Sequence, residues 1–415
     1  MTIAASKDID WQTANPLSAD IAQCPYGYYS QIRDNAPVLK APGTDFYIVS
    51  RYQDVAEVLK RPEIFSADYR SLFNRHPDVA QILDQGVPSV STLATLDPPD
   101  HARYRRLVNK AFTPGRVNAI SDRIVAEVET LIDGLIEAGE ADIVGQFAVP
   151  LTISITADQL GVPREDIWKF KRWSDARVVQ FSLVTSLEEE CEAARRRLEF
   201  QRYFADLLDR KRAEPSDDII SVLATTHFDD LDRELDLPEF ISIAEQLMTA
   251  GNLTTTHSFA SGLLMLLQNP DEMERLRAEP ARMRQFIEEL LRLESPASGI
   301  WRVVREDTVL GGVALPAGAA VHLRLASANR DERQFADPDR LDLDRSNLAT
   351  HVAFGGGTHF CIGFQLAKRE LEIGFNALLR RLANIRLAMP TDDLAYIPSF
   401  TVHGLERLDI RFDRA

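Results

Sequence analysis

The chain has 415 residues, 45% of them apolar and 27% charged, with a formal net charge of −16. This is the composition of an ordinary water-soluble globular protein, and its acidity argues against the basic stripe of a nucleic-acid binder or a stay on anionic membranes. The start carries no apolar signal core, and no apolar run approaches the roughly 20 residues that span a bilayer, so neither a secretory leader nor a membrane anchor is expected.

In chain order, residues 1–15 read as a flexible N-terminal arm. No Pro/Ser/Gly-rich or highly charged linker interrupts the remainder of the chain, so 16–415 is expected to be a single domain. Val38–Ser50 reads as a hairpin around Pro42-Gly43-Thr44-Asp45, and 52–61 has helical spacing. Residues 65–96 are irregular, with one short helix near 77–85. A long helical region runs from about 99 to 294, broken near Gly139, Pro163, Pro215 and Asp229. After Arg302 the pattern turns strand-like through about 326, helix returns from Ile362 to about Ala383, and Leu405–Phe412 reads as a final strand. The fold class is therefore mainly α with small β-sheets.

One helix is unusual. Pro238 suits a first turn and Asn269-Pro270 makes a stop, which gives about 32 residues and roughly 48 Å, enough to cross a domain. Its middle, Ala250-Gly251-Asn252-Leu253-Thr254-Thr255-Thr256, is poor in helix formers, and threonine hydroxyls can bend a helix by bonding back to it. Such a weak point is either a tolerated kink or a site.

Three cysteines, Cys24, Cys191 and Cys361, without a C-x-x-C pair fit a reducing compartment, expected to be the cytoplasm, and exclude an all-cysteine zinc or iron–sulfur centre. Cys361 closes the glycine-rich stretch Ala353–Phe364, just before an amphipathic helix. Glycines 355, 356 and 357 permit positive φ and close backbone approach, and a thiol near a helix N-terminus is drawn toward the thiolate. Taken alone, the loop admits two readings: a stabilised thiolate beside something bulky, or an inert buried cysteine.

Phe354-Gly355-x-Gly357-x-His359-x-Cys361-x-Gly363 resembles the haem-binding signature of the cytochrome P450 superfamily at every position that the signature specifies. Leu366–Glu370, the Glu289-x-x-Arg292 pair and the haem-flanking stretch Asp97–Phe112 resemble the family as well. The resemblance implies haem b (iron protoporphyrin IX) with Cys361 as axial ligand of the iron, thiolate ligation favouring O–O cleavage. It further implies haem contacts from Ala250, Phe354, Gly355, His359 and Gly363. His101, Arg105, Arg302 and His351 are the implied partners of the haem propionates, since buried carboxylates need partners; the alternative for each is a surface charge. Glu289, Arg292 and Arg340 form the implied structural network on the thiolate side.

By the same resemblance, Gly251, Asn252 and Thr254 lie over the haem as catalytic residues. The sequence departs from the family in one place: Leu253 stands where an acid normally gates protons. Splitting O₂ consumes two protons, so Asn252 with ordered water, or a residue from elsewhere, is expected to supply the relay, unless the enzyme leaks peroxide. Electrons are expected from a [2Fe-2S]-type ferredoxin with its flavoprotein reductase. Arg103, Arg106 and Lys110 are either its docking patch, extended by Lys368 and Arg369, or an ordinary solvated face.

Phe181, Val184, Leu247, Leu253, Ile300 and Phe400 are candidate pocket residues that could equally be core; as a pocket they would suit a small or mid-sized hydrophobic substrate. The expected function is a monomeric haem-thiolate monooxygenase that hydroxylates such a substrate. The alternatives are peroxide-using or isomerising chemistry on the same fold, or a haem carrier or sensor.

Overall fold

The computed structural model describes residues 9–72, 75–179, 182, 185–228 and 231–415. Its axis is the α-helix Leu237–Gln268, 32 residues long, within one residue of the predicted span at each end. Asp236 caps it: its carboxylate accepts from Glu239 N at 2.9 Å, while Glu239 accepts from Asp236 N at 2.9 Å, a reciprocal box that satisfies two orphan donors. The central helix is buried in an apolar cluster at either end. Phe240, Ile241 and Met248 pack with Trp173, Phe200 and Phe204, while Phe259, Leu263 and Leu266 pack with Phe147, Phe286 and Phe375. The stretch 249–258 belongs to neither cluster. It stays helical throughout, so the poor helix formers are carried by the packing of the two ends.

A five-stranded sheet has the order Val38–Lys40, Phe46–Val49, Ala320–Leu323, Ile300–Val304, Phe65–Ser66. Ala320–Leu323 runs parallel to Phe46–Val49 and the other pairs are antiparallel. A second sheet joins Leu382–Leu387, Asp409–Arg414 and Glu140–Asp142. The helical reading of 99–294 contains no sign of that last strand. Three residues carry no periodicity, and the strand exists because Glu140–Asp142 pairs with Asp409–Arg411 from the far end of the chain. Within the described part of the N-terminal arm, Ile9, Trp11 and Ala14 pack against the cluster of Tyr28, Tyr29 and Phe46.

The helix Met283–Leu293 carries Glu289 and Arg292, both wholly buried, with Nε–Oε1 at 2.6 Å and Nη2–Oε2 at 2.9 Å. The third member of the network is Arg345, whose Nε meets Glu289 Oε1 at 3.0 Å. Arg340, the residue expected there, turns outward: its side chain is 66% exposed and pairs with Asp342 at 2.9 Å. Only its backbone carbonyl enters the network, accepting from Arg292 and Arg345 at 3.3 Å each.

Arg345→Ala removes one partner of a buried carboxylate and is expected to cost roughly 3 kcal/mol. Arg340→Ala is expected to stay within about 0.5 kcal/mol. Side-by-side thermal unfolding checks this; the reverse ranking would return the role to Arg340.

Candidate active site

The cysteine loop is closed by a hydrogen bond from Cys361 N to the Phe354 carbonyl at 3.0 Å. Gly355 and Gly357 have φ of +69° and +61°, whereas Gly356 is extended and needs no glycine freedom. Gly357 is required twice over, because a Cβ there would lie 2.1 Å from the Leu59 carbonyl oxygen. Phe354 packs beside Phe360 and Phe364, with Lys368 Nζ 5.3 Å from its ring centre, and screens the loop. Gly363 precedes the helix Phe364–Arg381 with an ordinary φ of −88°; nothing lies within 4 Å of where its Cβ would be. Burial pushes the Cys361 thiol up from its usual pKa, and the Gly363 N–H and the Arg105 charge only partly oppose this. The helix end alone therefore does not make the thiolate; a cation at the sulfur would.

A cationic, donor-rich sector faces this loop. Arg302 is buried, donates to the Trp301 carbonyl at 2.7 Å, and burial pulls its pKa down to about 10. The His101 and His359 rings lie 4.3 Å apart. His101 Nδ1 and His359 Nε2 are buried without a hydrogen-bond partner. Burial first, then the charges of Arg302, His101 and Arg105, drive His359 down to about 3. Arg105 is half-buried and donates to Asn109 Oδ1 at 3.2 Å. Asp97, whose charge reaches Arg302, His101 and His359, is itself taken by Ala67 N at 2.8 Å, Arg305 at 2.6 Å and Ser66. The sector thus has the donors for further carboxylates, which is the test that the two propionates of a haem must pass, and these residues fit them. His351 lies outside the sector. Its Nε2 meets Glu288 at 2.9 Å and its Nδ1 accepts from Ala353 N at 3.2 Å, which leaves no donor for a propionate.

Between its two apolar clusters the central helix shows one open face. Ala250 is exposed, and Leu253 and Thr254, three and four residues on and hence on the same side, are half-buried. Thr254 Oγ1 donates to the Ala250 carbonyl at 3.1 Å. Asn252 is on another face: it is buried and donates to Ser174 of the helix Ile167–Val179, so it is not a relay group. Gly251 serves packing, since a Cβ would meet Thr156 Oγ1 at 3.0 Å. Leu247 and Phe400 belong to the core clusters, Ile300 is half-buried at the edge of a third, and Phe181 and Val184 lie outside the described residues.

Of the basic residues singled out, Arg106 and Lys110 are exposed, whereas Arg103 pairs with Asp100 at 3.2 Å. Lys368 pairs with Glu288 at 2.6 Å, and Arg369 with Ser121 and Glu372. Phe360, immediately before the cysteine, is 37% exposed.

Sequence reasoning missed the clamp that holds the irregular segment over the cleft. Gln246 donates to Thr92 Oγ1 at 2.6 Å and accepts from Ala94 N at 2.8 Å; Ser242 donates to the Val90 carbonyl at 2.9 Å. The polar residues Ser242 and Gln246, four apart and hence on one side of a mostly apolar buried helix, were the available signal.

A donor-rich sector with buried Arg302 facing a cysteine loop, with an exposed helix face nearby, fits a prosthetic group that carries carboxylates. Comparison with known proteins agrees. The family model described as cytochrome P450 matches residues 167–390. The chain is 35% identical over 397 residues to cytochrome P450 107B1 of Saccharopolyspora erythraea, covering 94% of this chain and 95% of that one. It is also 35% identical to the vitamin D(3) 25-hydroxylase of Pseudonocardia autotrophica, covering 95% of each. The solved structure of cytochrome P450 CYP109Q5 from Chondromyces apiculatus superposes with a TM-score of 0.86 at 32% identity, over 98% of this chain and 99% of that one. The chain belongs to the cytochrome P450 family; it is a monooxygenase of bacterial type whose cofactor is haem b.

Gly357→Ala is expected to cost at least about 2 kcal/mol, from the left-handed backbone and the contact with Leu59. The haem-to-protein ratio after purification and the melting temperature check this; wild-type values for both would overturn it.

Proposed function

We propose that the chain is a haem-thiolate hydroxylase of a predominantly apolar substrate, a single domain over 16–415, monomeric and cytoplasmic. The observation that carries the reading is the convergence of unpartnered His101 Nδ1 and His359 Nε2 with buried Arg302 beside the Cys361 loop. Haem, when bound, supplies the activation of O₂ by which one oxygen atom enters a C–H bond and the other leaves as water. In this reading Cys361 Sγ would bind the haem iron, and Arg105, Arg302, His101 and His359 would hold the two propionates. Ala250 supplies the flat contact that a planar group needs. Leu253 makes the ceiling apolar, and Thr254 offers the polar atom beside it. Its hydroxyl proton points at the Ala250 carbonyl, so its lone pairs are available to accept from a water in the cleft. With Asn252 turned to Ser174, proton delivery rests on Thr254 and ordered water. The vitamin D(3) hydroxylase among the relatives supports an apolar substrate.

Electrons come, in this reading, from a [2Fe-2S] ferredoxin reduced by a flavoprotein, docking on Arg106, Lys110 and the exposed Phe360. A peroxide-using variant is favoured by one observation, Leu253 in place of an acid.

Thr254→Ala is expected to lower product formed per NADH consumed by several-fold and to raise peroxide correspondingly. An unchanged ratio in a reconstituted ferredoxin chain would remove Thr254 from oxygen chemistry; turnover on peroxide alone at the rate of that chain would favour the second reading.

Arg106→Glu is expected to slow ferredoxin-dependent reduction roughly tenfold at low salt, with the gap closing as salt rises. Identical rates and salt slopes in both proteins would place docking elsewhere.

A further inference from the structure

Nine residues before Thr254, about 13 Å along the helix axis, the central helix buries Glu245. Arg197 of the helix Leu187–Ala213 grips it through Nε–Oε1 at 2.6 Å and Nη2–Oε2 at 2.9 Å. Arg177 of the helix Ile167–Val179 reaches Oε1 at 3.4 Å and Thr249 Oγ1 at 3.3 Å. Burial pushes the Glu245 carboxyl up, but Arg177 and Arg197 outweigh it and hold it below its ordinary range.

A third guanidinium enters the same field. Arg75 is exposed, two residues before the helix Pro77–Leu83; partial desolvation, then the charges of Arg197 and Arg177, lower its pKa, with Glu245 and Asp84 opposing. Among the described residues Arg75 has no ion pair or hydrogen bond. Two guanidiniums therefore grip one buried carboxylate and the charge of a third, Arg75, reaches it, in a protein whose net charge is −16. Guanidinium groups gathered this way match the planar, bidentate geometry of carboxylate and phosphate.

The cluster stands on the side of the helix that carries Leu253. Thr249 is one turn beyond Glu245, and Leu253 one turn beyond Thr249, so a single shoulder of the helix runs from the arginines to the apolar ceiling. Tyr69 feels the charges of both Arg177 and Arg302, so the cluster and the buried Arg302 lie within electrostatic reach of one side chain.

We propose that Arg75, Arg177 and Arg197 over Glu245 form the head-group site of the substrate cleft, and that the substrate is an amphipath: an apolar body ending in a carboxylate or phosphate. This rests on the monooxygenase reading of the same cleft and narrows its substrate class. Arg75, exposed to solvent, meets the anion first, while Arg177 and Arg197, already anchored by Glu245, are the preorganised part of the site. The apolar body runs past Thr249 and Leu253 toward Thr254. With the head held roughly 12 Å from Leu253 along the axis, oxidation falls toward the end of the molecule away from its charge.

The test uses the holoprotein, after its carbon monoxide difference spectrum has been read as that of a thiolate-ligated haem. Dodecanoate, dodecyl phosphate and dodecanol are titrated at low and high salt, by calorimetry and by the shift of the Soret band. At least one anion is expected to bind roughly tenfold tighter than dodecanol, a preference that shrinks as salt rises. The tighter anion tells whether the natural head is a carboxylate or a phosphate ester. Arg75→Glu, which breaks no ion pair and leaves the core untouched, is expected to cut anion affinity about tenfold and to leave dodecanol within about twofold. Equal affinity for dodecanol and both anions, or an anion preference unaltered in Arg75→Glu, overturns the head-group site while the haem reading stands. A spectrum without thiolate ligation would instead overturn the haem reading itself.

Discussion

A guanidinium carries five N–H donors and stays charged at any pH a protein meets, so a buried arginine organises whatever surrounds it. Arg292 is wholly buried, and all five donors are used: two on Glu289, and one each on the carbonyls of Asn329, Pro338 and Arg340. Asn329 passes the constraint on, its side chain accepting from Val352 N at 2.7 Å and donating to Ser295 Oγ at 2.8 Å. Val352 is two residues from Phe354, where the cysteine loop begins. A charge that cannot be left unsatisfied thus fixes the segment 329–345 against the helix Met283–Leu293, and with it the approach of the loop that carries Cys361. Arg345 adds a second buried guanidinium to the same carboxylate, which makes the arrangement costly to open.

The rest of the site depends on a second electrostatic imbalance. The protein is acidic overall, yet its interior gathers cations and unpartnered imidazoles at Arg302, His101 and His359, and arginines around Glu245. Low local dielectric makes such groups expensive unless an anion settles among them, and it strengthens the interaction when one does. The first group suits the two carboxylates of a haem. The second lies farther up the central helix, where the segment 90–94 is clamped by Ser242 and Gln246. Between them the helix offers an apolar side chain at Leu253, where the family usually places an acid. On the proposed reading, charge in this cleft is held at its two ends and kept away from its ceiling.

The central helix shows how packing overrides local preference. Gly251, Asn252 and three successive threonines are poor helix formers, yet the helix is continuous across them because the stretches on either side are buried in two separate apolar clusters. The polar middle is what remains once both clusters are filled. Its residues are divided among neighbours: Asn252 bonds Ser174, Gly251 leaves room for Thr156, and Ala250, Leu253 and Thr254 lie on the open face.

The sequence by itself determined the mainly helical class, the long helix to within a residue at each end, and the cysteine loop, because these rest on short-range facts: apolar spacing, capping residues and a motif compact enough to read in one line. Residues far apart were a different matter. Arg340 and Arg345 stand five apart in one irregular segment, and only the packing of that segment decided which one is buried against Glu289. His351 sits two residues before Ala353 with a plausible spacing, but Glu288 on another helix claims its ring. Helical geometry puts Asn252 and Thr254 on different faces; which face is open depended on the helix Ile167–Val179 lying against one of them. The strand Glu140–Asp142 and the grouping of Arg75, Arg177 and Arg197 about Glu245 join positions tens to hundreds of residues apart. Such contacts are set by tertiary packing, and no local pattern encodes them.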